Sequence, residues 1–496
     1  MSANSQEIVQ QVRAEFEALI TKMIQATPQP APTADAMEGD LWKYMLQLGR
    51  GLMAAFLVRR AEEVVPPNVS LGEATTLPSH AQVQRSYHCV FGKIRFARRY
   101  YYRPGQGAFP ADADLNLPTN ACSDLLREWQ ERLGASVPYT EANTILESFL
   151  GSSFSNRALQ EALKEDAQEV LAFYEQVDPH LPDLQATILV VQADGKGVPL
   201  VKQSDPKAGK DVALHAPVRP GKGAKPGKKE AVVTSVYTLA PAPRTPESVV
   251  NSLFHPEIQT TPLARSGPHD KWLWATLEGK RAALQVTAEQ VRRREGAHIV
   301  ERVALTDGAE ALQTGVKTQF PDFTLILDFI HADEYLWKAA NALLGETAPE
   351  RTAWVKARTL QMLSGQIAAV IADLQEIAAC KQTSKTARQT LISVAAYYER
   401  NQAYMQYDKY LAAGWPIASG VIEGACRHLV KDRCELSGMR WTQAGAEALL
   451  RLRSVVENGD WESFHAYRRR QRQLKVYGYW KVEQPDTPAM PLRLAA

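Results

Sequence analysis

Two spacings of apolar residues divide this chain. Recurrence every three or four residues marks helices, and short continuous runs mark buried strands. Ile8, Val12, Phe16 and Ile20 recur at i, i+4, i+8 and i+12, which predicts a helix over 4–24. The Pro-rich stretch 27–33 ends it. A second helix is expected over 39–63, then a Pro-containing loop to Gln84. Residues 86–103, SYHCVFGKIRFARRYYYR, alternate in polarity and turn near Gly92, as a β-hairpin does. Helices follow over 122–133 and 140–150, the second stopped by Gly151. Ser155 is placed to cap a long helix from 156 to about 176.

Downstream, three apolar runs each end at an aspartate. TILVVQ leads through Ala193 to Asp194, with Gly195 and Gly197 behind it. Residues 298–305 lead to Thr306-Asp307-Gly308, and 323–327 lead to Asp328. Carboxylates at the ends of buried strands occupy the ligand edge of an open α/β sheet. Several converging there suit a hard cation. A strand over 231–239 pairs antiparallel with the first around a long Lys/Gly/Pro-rich segment, 202–229, expected as a mobile basic loop. A helix over 308–319, ended by Pro321, joins the other two runs as a βαβ unit, and a further helix covers 333–344. Residues 347–410 carry helical spacing only and read as an all-α insertion. In WPIASGVIEGACRHLVKDRCELSGMRW, 415–441, Pro416 and Ser419 open a helix and Gly438 lies beyond it. Ile422, Ala425, Cys426 and Leu429 form its apolar face, while Glu423, Arg427 and Lys431 share another. That second face is either a surface Glu-Arg pair or a metal ligand with cations for adjacent phosphates.

Composition narrows the class. A chain of 496 residues exceeds one ordinary core, so two to four domains are expected. Hydrophobic residues at 45% and charged residues at 23% are those of a water-soluble globular protein. The net charge of +2 leaves any nucleic-acid partner to local clusters. One is the hairpin's second strand, where Lys93, Arg95, Arg99 and Arg103 interleave with Phe96, Tyr100 and Tyr102. Such a strand either contacts phosphates and bases or solvates one face of a sheet. The helix pair over 140–176 has the plan of a DNA-reading module, with Asn156, Arg157 and Gln160 opening the second helix. The segment 222–229, KGAKPGKK, and the run AYRRRQRQLK at 466–475 add basic charge. Five cysteines without CxxC spacing fit reduced thiols in a cytosol better than a disulfide framework or a zinc ribbon. The N-terminus lacks the continuous apolar stretch of a signal peptide.

A strand Asp, a second strand Asp far downstream and a helical Glu after an all-α insertion form the layout of the ribonuclease-H-like catalytic fold. With QADGKGVP (192–199), KKEAVVTSVYT (228–238), LTDGAEALQ (305–313), LDFIHADEYLWKAA (327–340) and WPIASGVIEGACRHLVKDR (415–433), the sequence resembles DDE-type bacterial insertion-sequence transposases of the ISKra-like group. The resemblance runs from about residue 86 onward. It implies an α/β ribonuclease-H-like catalytic domain with an all-α insertion, preceded by a mainly helical DNA-binding region with a β-hairpin. The implied division is 1–85, 86–180, 181–344, 345–413, 414–460 and a basic tail 461–496. Asp194, Asp307 and Glu423 match the catalytic, metal-holding positions, and Asp328 and His331 match an auxiliary Asp-x-x-His element. Asp333 and Glu334 are expected to cap the following helix. Implied DNA contacts are Arg95, Arg99, Asn156, Arg157, Lys222, Lys225, Lys228, Lys229, Arg427, Lys431, Arg440 and Trp441, although core packing of Trp441 is the simpler role. The implied cofactor is Mg²⁺ or Mn²⁺, two ions when DNA is bound. The implied partners are double-stranded DNA, as terminal inverted repeats and target, and a second protomer on that DNA; the implied location is the bacterial cytoplasm, at the nucleoid. Rival readings are a nuclease or resolvase without strand transfer, a catalytically silent DNA-binding descendant, and a Rossmann-type nucleotide binder. The last lacks its GxGxxG.

Overall fold

A computed structural model describes residues 4–25, 33–71, 75–177, 181–201, 227–255, 267–436 and 438–480. The chain divides into two units, 1–165 with 461–496, and 166–460. Among the described residues, no helix is long and apolar enough to cross a membrane.

In the first unit, helices α1 (Ser5–Gln25) and α2 (Ala34–Glu63) precede an antiparallel sheet of β1 (Asn68–Leu71), β2 (Thr75–Cys89), β3 (Gly92–Arg103) and β4 (Gln106–Ala108). The hairpin turns at residues 90–91, where Cys89 pairs with Gly92. The stretch expected as a loop to Gln84 is strand instead, and β2 runs straight through the expected boundary at residue 85. Its alternation is faint because few of its side chains are buried, and pairing with β1 and β3 supplies the order that pattern did not announce. Pro78 is accommodated beside a register shift between Ser79 and Ala81, as strand prolines require. Leu57, Ala61, Ile94 and Phe96 form the core between α2 and the sheet.

The unit continues with α3 (Pro110–Asp114), α4 (Asp124–Ser136), α5 (Tyr139–Leu150) and α6 (Asn156–Ala167). The long helix expected from 156 breaks at 168–169 and is followed by α7 (Val170–Tyr174), and the second unit begins at Asp166 in the last turn of α6. Phe173 and Tyr174 are buried there, with the Tyr174 hydroxyl accepting from Asn458 Nδ2 at 2.9 Å. Tertiary burial therefore overrides the continuous helical pattern.

The second unit holds a five-stranded mixed sheet of β5 (Ile188–Pro199), β6 (Lys228–Leu239), β7 (His269–Thr276), β8 (Glu301–Thr306) and β9 (Thr324–Leu327), in the order β7-β6-β5-β8-β9. β6 runs antiparallel to both β5 and β7, and β8 and β9 run parallel to β5. β5 is buried continuously over 188–193 and β6 over 231–238 rather than alternately, as strands covered on both faces are. Helices α8 (Pro246–Phe254), α9 (Lys280–Arg294) and α10 (Glu310–Gln319) lie between strands, and α10 makes β8 and β9 a βαβ unit.

α11 (Phe329–Leu344) starts directly after β9. Asp328 caps it, accepting from Ile330 N at 2.9 Å, so Asp333 and Glu334 are not the caps. Asp333 instead lies within α11, where it accepts from Thr359 Oγ1 at 2.6 Å and Trp337 Nε1 at 3.0 Å. α12 (Glu350–Leu363), α13 (Ile367–Ala379), α14 (Lys385–Asn401) and α15 (Tyr407–Ala412) fill the expected all-helical stretch. They share one core with the sheet: Val355, Leu374, Leu391 and Tyr407 pack with Val303, Leu305 and Ile326. α16 (Gly420–Ala425) passes into a π-helical turn, Cys426–Lys431, then α17 (Asp432–Cys434) and α18 (Gln443–Glu457). α19 (Trp461–Lys475) belongs to the first unit. There Arg472, from the expected basic tail, is bound to Asp124 and Asn116.

Candidate active site

Register brings three aspartates together. Ala193 on β5 pairs with Thr306 on β8, and Thr306 pairs with Leu327 on β9. The residues after that row are Asp194, Asp307 and Asp328, on neighbouring strands about 4.8 Å apart. β8 and β9 end there, whereas β5 continues to Pro199 because β6 pairs with it throughout. Asp194 is thus within its strand, not beyond its end, and it lies where one flank of that strand loses its parallel neighbour.

Backbone and side-chain donors hold the carboxylates. Asp194 Oδ1 accepts from Gly195 N at 2.6 Å, and Asp194 Oδ2 accepts from Cys426 Sγ at 3.3 Å. Burial and the Asp194 carboxylate push the Cys426 thiol well up, so it remains a proton donor. Asp307 Oδ1 accepts from Ala309 N at 2.9 Å. The Asp307–Gly308 turn is clamped by α14: Tyr397 Oη donates to Asp307 O at 3.1 Å, and Arg400 to Gly308 O at 2.9 Å. Gly308 has φ 89°, and a Cβ there would lie 2.7 Å from the Tyr397 hydroxyl. Tyr407 Oη likewise donates to Leu327 O at 2.9 Å. The helical segment therefore grips the strand ends that carry the acids.

Asp328 is fully buried and organises the other side. Its Oδ2 accepts from His331 Nδ1 at 2.8 Å and from the Ser419 hydroxyl. Ser419 Oγ also lies 3.3 Å from Glu423 Oε1. Ligand atoms of Asp328, His331 and Glu423 all lie within 4.8 Å of one another. Asp194 and Asp307 do not join that group. The hydrogen bond to Asp328 raises His331 to about 9, with Glu334 and Asp307 adding to the effect against burial. At neutral pH it is an imidazolium, with Nδ1 committed to Asp328 and no lone pair to offer a metal. Asp194, Asp307 and Glu423 offer oxygen donors of the kind a hard divalent cation takes, but the ligand atoms that lie close together are those of Glu423, Asp328 and His331 rather than of Glu423 and the two strand-end aspartates.

The raised His331 value has a stability consequence in metal-free protein. A folded value above the ordinary 6.5 gives stabilisation that is complete below about pH 6.5 and is lost as pH rises through about 9. His331→Ala should lower Tm clearly at pH 6 in EDTA and much less at pH 10. Equal Tm losses at both pH values would show that the ion pair does not contribute.

Glu423 is delivered by α16, whose start is tied to the sheet. Gln192 Oε1, buried in β5, accepts from Ile422 N at 3.0 Å. A glutamine inside the apolar run of β5 was the available sequence signal for this tie. Ser419, Cys426 and Tyr397 had none, because their partners lie far away in the chain.

No family model matches the chain, and no curated protein does. Among solved structures it is similar to one titled Drosophila P element transposase strand transfer complex, at 9% identity and TM-score 0.26, over 73% of this chain and 86% of that one.

The remaining candidates are scattered. Arg95 and Arg157 are exposed and Arg99 is half-buried. Arg98, in the same basic run, is buried against Asp112. Asn156 is occupied between helices, its Oδ1 accepting from Asn143 and its Nδ2 donating to Thr140. Lys222 and Lys225 lie outside the described residues. Lys228 pairs with Glu435 at 2.9 Å, and Lys229 is partly covered. The π turn interrupts the expected Glu423-Arg427-Lys431 row, because its wider spacing rotates Lys431 off that face. Arg427, Lys431 and Arg440 are exposed. Trp441 is buried, donating Nε1–H to Cys434 O at 3.2 Å with the Arg433 guanidinium over its ring. Its ring is packed in the core rather than offered to a base.

Proposed function

We propose that this chain cuts and joins DNA strands as a DDE-type transposase, with a ribonuclease-H-like catalytic unit. The observation that carries the reading is the acidic row Asp194, Asp307 and Asp328, faced by Glu423 and the imidazolium of His331. The sheet order, with three antiparallel strands followed by two parallel ones, supports that fold assignment. A phosphodiester is anionic, so an attacking oxygen is repelled until the charge is offset. Asp194, Asp307 and Glu423 would hold Mg²⁺, which supplies that offset and activates the attacking oxygen. Asp328 fixes Ser419 and His331, and Ser419 sets the Glu423 rotamer. His331 presents a positive charge toward the phosphate or the departing oxygen. Arg95, Arg99 and Arg157 in the first unit, with Lys229, Arg427, Lys431 and Arg440 in the second, are the cations that would contact the DNA backbone.

The test uses a labelled duplex carrying the ends of the element that encodes the chain, with a supercoiled target and Mg²⁺. The expected result is end cleavage followed by covalent joining to the target, both abolished by EDTA. Cleavage without joined product would favour a nuclease or resolvase. Binding without either product would leave a DNA-binding descendant.

A further inference from the structure

Tyr397, Arg400 and Asn401 follow at steps of three and one along α14 and share a face of it. That face reaches the corner where β8 gives way to α10, about ninety positions earlier in the chain. Tyr397 Oη and Arg400 donate to Asp307 O and Gly308 O, so one helix holds two consecutive carbonyls of the turn. Asn401 is fully buried, accepting from Gln313 Nε2 of α10 and donating to Tyr397 O, both at 2.8 Å. The Tyr397 ring lies flat on Tyr335 of α11, with centroids 3.8 Å apart and planes 4° apart. The Arg400 guanidinium stands 5.6 Å from the centre of the same ring. Tyr335 is one helical turn beyond His331, so the stack links the Asp307 corner to the helix that Asp328 caps.

Packing alone does not call for these polar groups. Phenylalanine would stack on Tyr335 as well as tyrosine does, and Arg400 is exposed, so neither the hydroxyl nor the guanidinium fills the core. Both go instead to carbonyls outside any strand or helix. The Asp307 carboxylate belongs to the same turn, because its Oδ1 accepts from Ala309 N two residues on. The backbone angles at Asp307 and Gly308 fix that bond, and with it the direction of the other carboxylate oxygen. Burial holds the Tyr397 hydroxyl above its ordinary range, with Tyr335 and Asp307 adding to the effect, so it remains a donor at neutral pH.

We propose that Tyr397 and Arg400 are positioning residues: by holding these two carbonyls they set the direction in which Asp307 offers its carboxylate to a divalent cation. The role rests on the reading of Asp307 as a cation ligand. It makes the helical segment an integral part of the site.

Two measurements on the full chain test this, with far-UV circular dichroism on each variant. The variants are Tyr397→Phe, Arg400→Gln and, for comparison, Tyr404→Phe. The Tyr404 hydroxyl bonds Lys317 near the far end of α10. Without metal, amide hydrogen exchange across 305–313 should quicken about three- to tenfold in Tyr397→Phe and Arg400→Gln, as expected for one lost bond, and stay unchanged in Tyr404→Phe. Mn²⁺ affinity, read from the paramagnetic resonance of the free ion, should fall by about the same factor in the first two and hold in the third. If Tyr397→Phe does not fold, the exposed Arg400→Gln decides alone. Mn²⁺ affinity that falls with Asp307→Ala but with neither clamp variant overturns the proposal and leaves the metal site standing. Exchange indifferent to both variants overturns it as well, and so does an equal effect from Tyr404→Phe, since the segment would then act only by packing. If Asp307→Ala itself leaves Mn²⁺ affinity unchanged, Asp307 is not a ligand, and the positioning role falls with that assignment.

Discussion

Alanine at Asp194, Asp307 or Glu423 will lower Mg²⁺-dependent strand cleavage by roughly a hundredfold to a thousandfold or more, while binding to the same DNA changes little. Asp194 and Asp307 each have one oxygen already held, by Gly195 N and Ala309 N, and Glu423 Oε1 lies 3.3 Å from Ser419 Oγ. Losing one would remove a proposed cation ligand without disturbing the apolar core beneath, because all three retain solvent exposure. Single-turnover cleavage and equilibrium binding, measured side by side, check the split. If binding falls as far as cleavage, the acids are structural or the wrong ones were chosen. If Asp194→Ala cleaves normally, the row does not form the reacting centre.

The second large effect concerns folding. Asp328→Ala should destabilise the protein by about 3–5 kcal/mol, the range for removing one partner from a buried charged pair. Asp328 is fully buried and serves three groups at once: Ile330 N, His331 Nδ1 and the Ser419 hydroxyl. Alanine would leave α11 uncapped and His331 and Ser419 without their acceptor. Asparagine keeps an oxygen for Ile330 N and should cost less, about 1–3 kcal/mol. Urea unfolding of the two variants provides the comparison. A loss below about 1 kcal/mol for Asp328→Ala would mean that it does not brace the site.

These two predictions separate roles that look alike in the sequence. Asp194, Asp307 and Asp328 all follow apolar runs. Only the structure distinguishes the two partly exposed carboxylates from the buried one that organises His331 and Ser419. His331 itself was legible as a neighbour of Asp328, three residues on. Its charge was not, because it depends on Asp328 accepting from Nδ1 and on Asp307 and Glu334 nearby.

Local pattern determined much of the secondary structure. The helices of residues 347–410, the hairpin turn and the βαβ unit follow from apolar spacing and turn residues. These are near-neighbour effects that a sequence displays directly. The pattern failed where distant partners decide. β2 is a strand because β1 and β3 pair with it. The helix after Ser155 breaks ahead of Phe173 and Tyr174, which are buried, with Tyr174 bonded to the distant Asn458. The chain turns into a π helix at Cys426, whose thiol reaches Asp194.

By itself, then, the sequence determined most of the elements and placed an aspartate after each of three apolar runs, since both depend on residue type and short-range spacing. The tertiary structure alone decided that Asp194, Asp307 and Asp328 stand in one row, that Gln192 ties Glu423's helix to the sheet, and that Trp441 is core. Strand register and side-chain burial arise from contacts between residues tens to hundreds of positions apart, and no local pattern encodes those distances.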